Sequence, residues 1–262
     1  MTIDHTTQAA GPAYRPPRGF LTGRTALVTG AARRIGRTLA LALADEGAQV
    51  VLHHRTSTSE AAETAATIVE GGGSCVLIRG DLADADVAGG LVDSAARAAA
   101  AAVDILVNNA SIFPPTGMAD AMAEEWDRIQ AVNLRAPFLL AQGLARQLPT
   151  GAAGDIVSLG DIRVLRPGSD HAPYTVSKSG LHGLTRSLAV SLAPRIRVNE
   201  LLLGPVLPPE TPGGEYEHVP RESLPTRRFP RPEDVAAAML FVLGNPAVTG
   251  QSLCIDGGQH LL

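Results

Sequence analysis

The 262-residue sequence has few cysteines, few aromatic residues and no excess of positive charge. Its two cysteines, Cys75 and Cys254, lie in separate apolar runs without the close Cys/His spacing of a zinc site, so we expect buried thiols in a reducing compartment. The net charge of −4 argues against a surface that binds DNA or RNA. No apolar stretch approaches the roughly 20 residues that cross a bilayer, and residues 1–18 lack the apolar core of a secretory signal. These absences predict a cytoplasmic protein without a metal site, a membrane partner or a nucleic-acid partner.

The core must be built from aliphatic side chains, because hydrophobic residues make up 45% of the chain and aromatic residues only 3%. Such side chains suit parallel strands that are buried on both faces. Short β-branched runs alternate with longer Ala-rich helical patterns after residue 23, and the predicted strands are 25–28, 49–53, 74–78, 104–108, 155–159, 195–201 and 252–255. We expect a disordered tail over residues 1–20 and a single α/β domain over 21–262. The domain would hold a doubly wound (Rossmann-type) sheet of seven parallel strands with helices on both faces.

The first predicted strand runs into a glycine turn and then into an Ala/Leu-rich helix. Residues 29–36 of this segment read TGAARRIG. A strand, a tight turn and a helix start can hold a pyrophosphate, because the free backbone N–H groups of the first helical turn face its oxygens. We therefore assign Gly30, Ile35 and Gly36 to cofactor binding.

Tyr174 and Lys178 lie four residues apart in a predicted helix and share one face of it. The ammonium can lower the pKa of the phenol, which makes the tyrosine a usable proton donor. The pair alone is weak evidence, because any amphipathic helix can place these residues at this spacing. Its context decides: Asn108-Asn109-Ala110 ends another predicted strand, Asn133 interrupts an apolar helical stretch, and residues 256–258 read DGG.

The order of these motifs resembles that of the short-chain dehydrogenase/reductase family from residue 23 to the end. The resemblance implies the strand order 3-2-1-4-5-6-7 and a homotetramer in which helices over 126–147 and 173–193 pack against their copies. It also implies that Asn133 helps to hold a water linking Lys178 to solvent, although a structural amide would explain Asn133 as well. Further cofactor contacts implied by the family fall on Asp81, Leu82, Asn109, Ala110, Ser111, Tyr174, Lys178, Gly204 and Val206. An ordinary helix N-cap explains Asp81 alone nearly as well.

The choice of cofactor is indicated by two departures from the family's usual pattern. Most relatives have glycine where this chain has Arg34, whose side chain would project toward the cofactor phosphates and clamp them. At the end of the second strand an acidic residue usually bonds the ribose of NAD, but here the sequence reads His54-Arg55-Thr56-Ser57. A guanidinium and two hydroxyls suit a 2′-phosphate, so we expect NADPH/NADP+. We interpret His53 as an ordinary residue at the strand end.

Asp161 is the most informative departure. Most relatives carry a serine thirteen residues before the tyrosine, and this serine bonds the substrate carbonyl. Either the site is lost or the substrate requires a carboxyl group, and loss is disfavoured because Tyr174, Lys178 and Asn133 all remain. Together with Arg34, Asp161 is similar to the pattern of the pteridine reductases. Other segments that carry this resemblance are 54–57, 109–113, 166–171 and 249–261, the last two being similar to the bacterial dihydromonapterin reductase branch.

In pteridine reductases the pterin lies between the nicotinamide and a phenylalanine that matches Phe113, although Phe113 could instead be a loop aromatic packed on the core. Substrate contacts are therefore expected from Phe113, Asp161, Tyr174, Pro205 and Leu207. Residues 204–232 are rich in Pro, Gly and Glu and follow the sixth strand, which suggests a substrate loop or, alternatively, a solvated connection.

The sequence thus predicts an NADPH-dependent oxidoreductase that reduces a pterin, with Asp161, Tyr174, Lys178 and Asn133 as its catalytic residues. An alternative within the same fold is a carbonyl reductase for a ketone or a 3-oxoacyl group. An alternative from another class is a regulator that senses NADPH without turnover, against which the intact Tyr174/Lys178 pair argues.

Overall fold

The computed structural model describes residues 16–208 and 220–262, and strands and helices alternate along this part of the chain. The strands are β1 (Thr25–Val28), β2 (Gln49–His54), β3 (Ser74–Arg79), β4 (Ile105–Asn108), β5 (Gly154–Asp161), β6 (Ile196–Leu203) and β7 (Ser252–Ile255). The helices are α1 (Arg34–Asp45), α2 (Thr58–Glu70), α3 (Ala85–Ala99), α4 (Ala123–Gln130), α5 (Ala136–Gln147), α6 (Ala172–Ser191) and α7 (Pro232–Gly244). A π-helical turn, Ala131–Arg135, joins α4 to α5.

The strands form one parallel sheet in the order β3-β2-β1-β4-β5-β6-β7. This confirms the predicted seven-stranded doubly wound sheet and its strand order. The order reverses between β1 and β4, and in such sheets ligands bind in the crevice beyond the carboxyl ends of the strands at that point. The candidate site residues should therefore be sought at this edge.

Aliphatic side chains fill the space on both faces of the sheet. Leu39 and Leu43 of α1 belong to one buried cluster, whereas Leu140 and Leu144 of α5 belong to the other. All four side chains are fully buried, and each such leucine stabilises the fold by about 2 kcal/mol through the apolar surface it removes from water. The sheet is therefore covered on both sides by helices.

Several strands extend further toward their carboxyl ends than the sequence pattern predicts. The predicted β5 stops at Leu159, but the observed strand continues through Gly160 to Asp161, which pairs with Leu203 of β6. Glycine and aspartate disfavour strands, so their propensity hid an extension that pairing with β6 stabilises. Likewise β2 continues to His54. Two of the extra residues, His54 and Asp161, are among those assigned to the site.

The predicted N-terminal tail lies partly outside the described residues, which begin at 16. The backbone N–H of Gly19 donates a hydrogen bond of 2.8 Å to Oε2 of Glu46. Phe20 packs against the core and Leu21 is 1% exposed. Residues 16–20, predicted as part of a disordered tail, therefore pack against the domain in the structure, because Phe20 and Leu21 anchor them.

Within residues 16–208 and 220–262, no helix combines the length and the apolarity needed to cross a membrane. In the same ranges no group of three or more His, Cys, Asp or Glu side chains is placed to hold a metal ion. Apolar side chains are exposed on the helices expected to pack in an assembly, including Trp126, Phe138 and Val190. The homotetramer itself stays a prediction.

Candidate active site

The glycine turn after β1 is held in shape by Asn109, which follows β4. The Asn109 amide donates hydrogen bonds of 2.8 and 3.0 Å to the carbonyl oxygens of Thr29 and Gly30. A Cβ at Gly36 would lie 2.4 Å from the Gly30 carbonyl oxygen, so only glycine fits there. The N-cap residue of α1, Arg33, makes no side-chain capping bond to the first helical turn. The backbone N–H groups in the first turn of α1 are thus of the kind that binds a phosphate.

His53 supports the same turn from the adjacent strand. Its Nδ1 accepts a hydrogen bond of 3.2 Å from the Gly30 N–H, and its Nε2 lies 3.2 Å from the Gly80 carbonyl oxygen. Burial lowers the pKa of His53 to about 4, so the imidazole is neutral at physiological pH. The sequence correctly indicated that His53 lies near the end of a strand. The structure adds that His53 holds the glycine turn in place, a role that the sequence did not indicate.

Arg34 opens α1 with a backbone φ of 55°, a conformation that glycine adopts more readily than arginine. Its guanidinium donates a hydrogen bond of 2.6 Å to the carbonyl oxygen of Pro208, in the segment after β6. Ile35 packs against the core beside it. Arg34 therefore links the glycine turn to the segment after β6, and its predicted contact with the cofactor phosphates stays a prediction.

The group predicted to bind a 2′-phosphate lies at the carboxyl end of β2. The Arg55 guanidinium is half-exposed and lies 3.7 Å from Oδ2 of Asp81. His54 is buried, and its Nδ1 has no hydrogen-bond partner among the described residues. Ser57 is the N-cap of α2 but makes no capping bond, and Thr56 directly precedes it. The structure thus keeps these four residues together at the carboxyl end of β2.

Asp81 does not cap α3, so the simpler explanation offered for it is wrong. Asp84 caps that helix, because its Oδ1 accepts from the backbone N–H groups of Asp86 and Val87. Asp81 instead pairs with Arg128 at 3.1 Å, while the adjacent Leu82 is buried. The predicted contact of Asp81 with the cofactor is compatible with this position just beyond the end of β3.

Asp161 and Tyr174 meet where β5 ends and α6 begins. The Tyr174 hydroxyl donates a hydrogen bond of 2.8 Å to Oδ2 of Asp161, whose Oδ1 accepts another of 2.8 Å from the Arg163 N–H. Burial raises the pKa of the Tyr174 phenol well above its ordinary value, and the Asp161 carboxylate raises it further. The net shift of this pKa is therefore upward, opposite to the lowering expected from Lys178, and the phenol retains its proton.

Lys178 is buried one helical turn after Tyr174. Its Nζ donates a hydrogen bond of 2.7 Å to the Leu159 carbonyl oxygen and lies 5.6 Å from the centroid of the Tyr174 ring. Burial lowers the pKa of Lys178, whereas the carboxylates of Asp161 and Glu200 oppose that effect. The three residues that the sequence assigned to proton chemistry thus lie in one polar cluster.

Asn133 sits in the π-helical turn between α4 and α5, a local geometry often found at functional sites. Its Oδ1 accepts from the Ser111 hydroxyl and the Ile112 N–H, and its Nδ2 donates to the Ile112 carbonyl and the Ser177 hydroxyl. These four bonds use the full capacity of the amide. The side chain therefore holds the segment that leads to Phe113, and its predicted part in a water relay stays a prediction.

Phe113 forms an aromatic group with two residues from the start of α6. Its ring stacks on the imidazole of His171 with centroids 4.0 Å apart and planes inclined by 1°. The Tyr174 ring meets it edge-on at 4.5 Å. The Phe113 ring is 42% exposed, so it is not a core aromatic, as the simpler explanation would have it. Beside the Asp161–Tyr174 pair there is thus a flat aromatic group.

Arg163 and Asp170 hold His171 in this position. Arg163 pairs with Asp170 at 2.6 Å, and Asp170 lies 2.8 Å from Nδ1 of His171. The Arg163 hydrogen bonds hold the pKa of Asp170 far below its ordinary value, with His171 contributing in the same direction. Sequence reasoning did not assign a role to these three residues. The segment 166–171 was the only available signal, through its resemblance to one branch of the family.

The segment after β6 borders the site from the other side, and its assigned residues are Gly204, Pro205, Val206 and Leu207. The Gly204 N–H donates to the Ile255 carbonyl oxygen of β7, and Val206 is buried. The predicted substrate loop continues from here, but its residues 209–219 lie outside the described part of the chain. The contacts of this segment with cofactor or substrate stay predictions.

Comparison with known proteins agrees with this geometry. A family model described as enoyl-(acyl carrier protein) reductase matches residues 30–260. A protein from Streptomyces violaceoruber named granaticin polyketide synthase putative ketoacyl reductase 2 is 35% identical, with 90% of this chain and 96% of that protein covered. A 3-oxoacyl-[acyl-carrier-protein] reductase from Synechocystis is 31% identical, with 91% and 98% covered.

Solved structures of similar proteins contain NADP. The FolM alternative dihydrofolate reductase 1 from Brucella canis, complexed with NADP, has a TM-score of 0.87 and 36% identity, with 93% of this chain and 96% of that chain covered. A short-chain dehydrogenase from Burkholderia cenocepacia, also in complex with NADP, has a TM-score of 0.84 and 36% identity, with 91% and 98% covered. The chain belongs to the short-chain dehydrogenase/reductase family of oxidoreductases.

Proposed function

We propose that the protein is an NADPH-dependent reductase whose substrate is a pterin, in particular a dihydropteridine. The observation that carries this proposal is the hydrogen bond between Asp161 and Tyr174 beside the half-exposed ring of Phe113. A ketone oxygen needs only a donor, whereas a pterin presents several ring nitrogens and an amino group to be matched by donors and acceptors. A carboxyl group, a phenol and an aromatic surface suit a pterin better than a ketone.

The residues at the strand ends fit NADPH. The uncapped first turn of α1 offers N–H groups to a pyrophosphate, and Arg55 with the hydroxyls of Thr56 and Ser57 offers donors to a 2′-phosphate. The similar FolM protein of Brucella canis was solved with NADP, which supports this choice. When bound, the cofactor supplies a hydride, and the surrounding side chains have the task of orienting the substrate and moving a proton.

Proton delivery falls to Tyr174. Because burial and Asp161 raise its pKa, the phenol carries its proton until a substrate nitrogen next to the reduced carbon accepts it. Lys178, one helical turn away, then stabilises the phenolate. Asp161 orients the substrate ring, or takes up a proton from solvent and relays it to the phenolate, since its Oδ2 already contacts the hydroxyl.

A carbonyl reductase is the second candidate, because curated relatives at 35% and 31% identity are ketoacyl reductases. In that function Tyr174 and Lys178 keep their roles and Asp161 replaces the serine that usually bonds the carbonyl. An electron-rich carboxylate is a poor partner for a carbonyl oxygen, which is why we favour the pterin.

The test is a spectrophotometric panel of dihydropterins, quinones, ketones and 3-oxoacyl thioesters with NADPH. The proposal predicts turnover of at least one dihydropterin and little turnover of ketones. Turnover of 3-oxoacyl thioesters without any pterin activity would support the second candidate. NADPH binding without turnover of any compound would instead support a regulator that senses the cofactor.

A further inference from the structure

Glu200 is a fully buried carboxylate in β6, close to the candidate site but outside the residues assigned to it. Its Oε2 lies 2.8 Å from Nδ1 of His182 and 3.1 Å from the Ser252 hydroxyl. Its Oε1 has no hydrogen-bond partner among the described residues. An unpaired oxygen in the interior is costly, so a nearby positive charge is expected to compensate for it.

The unpaired Oε1 of Glu200 points toward β5, the strand that provides the hydrogen-bond acceptor of Lys178. A Cβ at Gly160 would lie 2.3 Å from Oε1, so the absence of a side chain at Gly160 makes room for the carboxylate. The residue before it, Leu159, accepts the hydrogen bond of the Lys178 ammonium at 2.7 Å. The carboxylate and the ammonium therefore occupy neighbouring positions over β5.

Lys178 needs such a partner, because it is 4% exposed and forms no ion pair within residues 16–208 and 220–262. Lys178 and His182 lie four residues apart on α6, so one helix face presents both to β5 and β6. The two groups affect each other: Asp161 and then Glu200 raise the pKa of Lys178 against the larger effect of burial. Burial raises the pKa of Glu200, and His182, Ser252 and Lys178 oppose that rise.

We propose that Glu200 is a positioning residue of the reductase site, a buried counter-ion that keeps Lys178 protonated while His182 and Ser252 hold its carboxylate in place. Other ionisable groups face this cluster as well, namely Asp161 from β5, Tyr174 from α6 and Cys254 from β7. Asp161 is engaged by Tyr174 and the Arg163 N–H, which leaves Glu200 as the carboxylate without a full set of partners. The inference rests on the proposed function only in that the reaction uses Lys178.

The chain contains a single lysine, and this permits a direct test. Protein labelled with 13C at the lysine ε-carbon gives one lysine resonance, whose pH titration reports the pKa of Lys178 without any turnover. Glu200→Gln should lower this pKa by about 1 or more, the size expected for loss of a nearby opposite charge. Ser252→Ala should lower it less, and Glu63→Gln, which removes a surface carboxylate on α2, should leave it unchanged.

A purely structural Glu200 would alter the melting temperature of the variant but leave the lysine pKa where it is, and that outcome would overturn the proposal. If Glu200→Gln does not fold, Glu200→Asp takes its place, because it moves the charge away by the length of one methylene. An unaltered lysine pKa in Glu200→Asp would also overturn the proposal. In turnover assays the basic limb of the kcat profile should move to lower pH in Glu200→Gln. If the lysine pKa shifts in Glu200→Gln but the parent protein reduces no pterin, the role of Glu200 as a counter-ion stands. Only the proposed function would then be refuted.

Discussion

The Tyr174 hydroxyl lies 2.8 Å from Oδ2 of Asp161, so the proposed proton donor of the site is already hydrogen-bonded to a carboxylate. In the usual family pattern a serine at this position offers a hydroxyl that can both donate and accept. A carboxylate accepts when ionised, and it therefore holds the phenol in its protonated form. The pair can give protons to a basic ring nitrogen, which is the chemistry that pterin reduction requires.

Replacing Tyr174 with phenylalanine should lower kcat by roughly 10²–10⁴, because it removes the proposed proton donor while keeping the ring against Phe113. NADPH binding, followed by fluorescence titration, should change little. Substantial turnover by this variant would mean that another group, with Asp161 the nearest, supplies the proton.

Cofactor preference should depend on Arg55, because a charge-assisted hydrogen bond to a 2′-phosphate contributes about 1.5–3 kcal/mol. We expect kcat/KM to favour NADPH over NADH by at least about tenfold, and Arg55→Asp to abolish or reverse this preference. Arg97→Asp on α3 makes the same charge change away from the strand ends and serves as the control. An unchanged preference in Arg55→Asp would remove Arg55 from the cofactor site.

His171 covers one face of the ring on which we expect the pterin to stack. An aromatic pair contributes about 0.5–1.5 kcal/mol, so a substrate that takes this face must first displace the imidazole. His171→Ala should therefore lower the Kd for the pterin about 2- to 10-fold, whereas Phe113→Leu should raise it. Weaker binding by His171→Ala would show that the histidine is part of the substrate platform.

The stability of the protein should fall in acid because of His53. Its pKa is lowered from 6.5 to about 4 in the folded chain, so between these values the unfolded chain binds the additional proton. Stability is therefore lost as the pH falls through this window, by about 2–4 kcal/mol at roughly 1.4 kcal/mol for each unit. His53→Gln cannot titrate, and denaturant unfolding should show a smaller loss between about pH 6.5 and 4. An equal pH dependence in both proteins would contradict the assignment.

Much of the sheet could be predicted because its strands are short aliphatic runs separated by Ala-rich helices. Strand order came from the family resemblance, since periodicity alone does not fix it. The boundary of β5 was missed because Gly160 and Asp161 have low strand propensity, and only pairing with β6 keeps them extended. The strand propensity of a residue cannot predict its pairing with a strand that comes about forty residues later.

The Asp161–Tyr174 contact could be predicted because a fixed spacing in the family brings the two residues together. The environment of these two residues could not be predicted from the sequence. The raised pKa of Tyr174 depends on burial, and the stacking of His171 depends on an ion pair between Arg163 and Asp170 within a loop. Glu200 was missed for the same reason, because a charge in a buried strand is interpretable only once its neighbours on α6 and β7 are known.

The most direct test of the pterin assignment is the comparison of Asp161→Ser with the parent enzyme on dihydropterins and ketones, measured as kcat/KM with NADPH. Asp161→Asn, which keeps the shape but not the charge, serves as the matched control. We expect Asp161→Ser to lower pterin turnover about tenfold or more and to spare or raise ketone turnover, because the substitution restores the hydroxyl that most relatives use. Equal pterin turnover in the variant, or ketone but no pterin turnover in the parent, would contradict it.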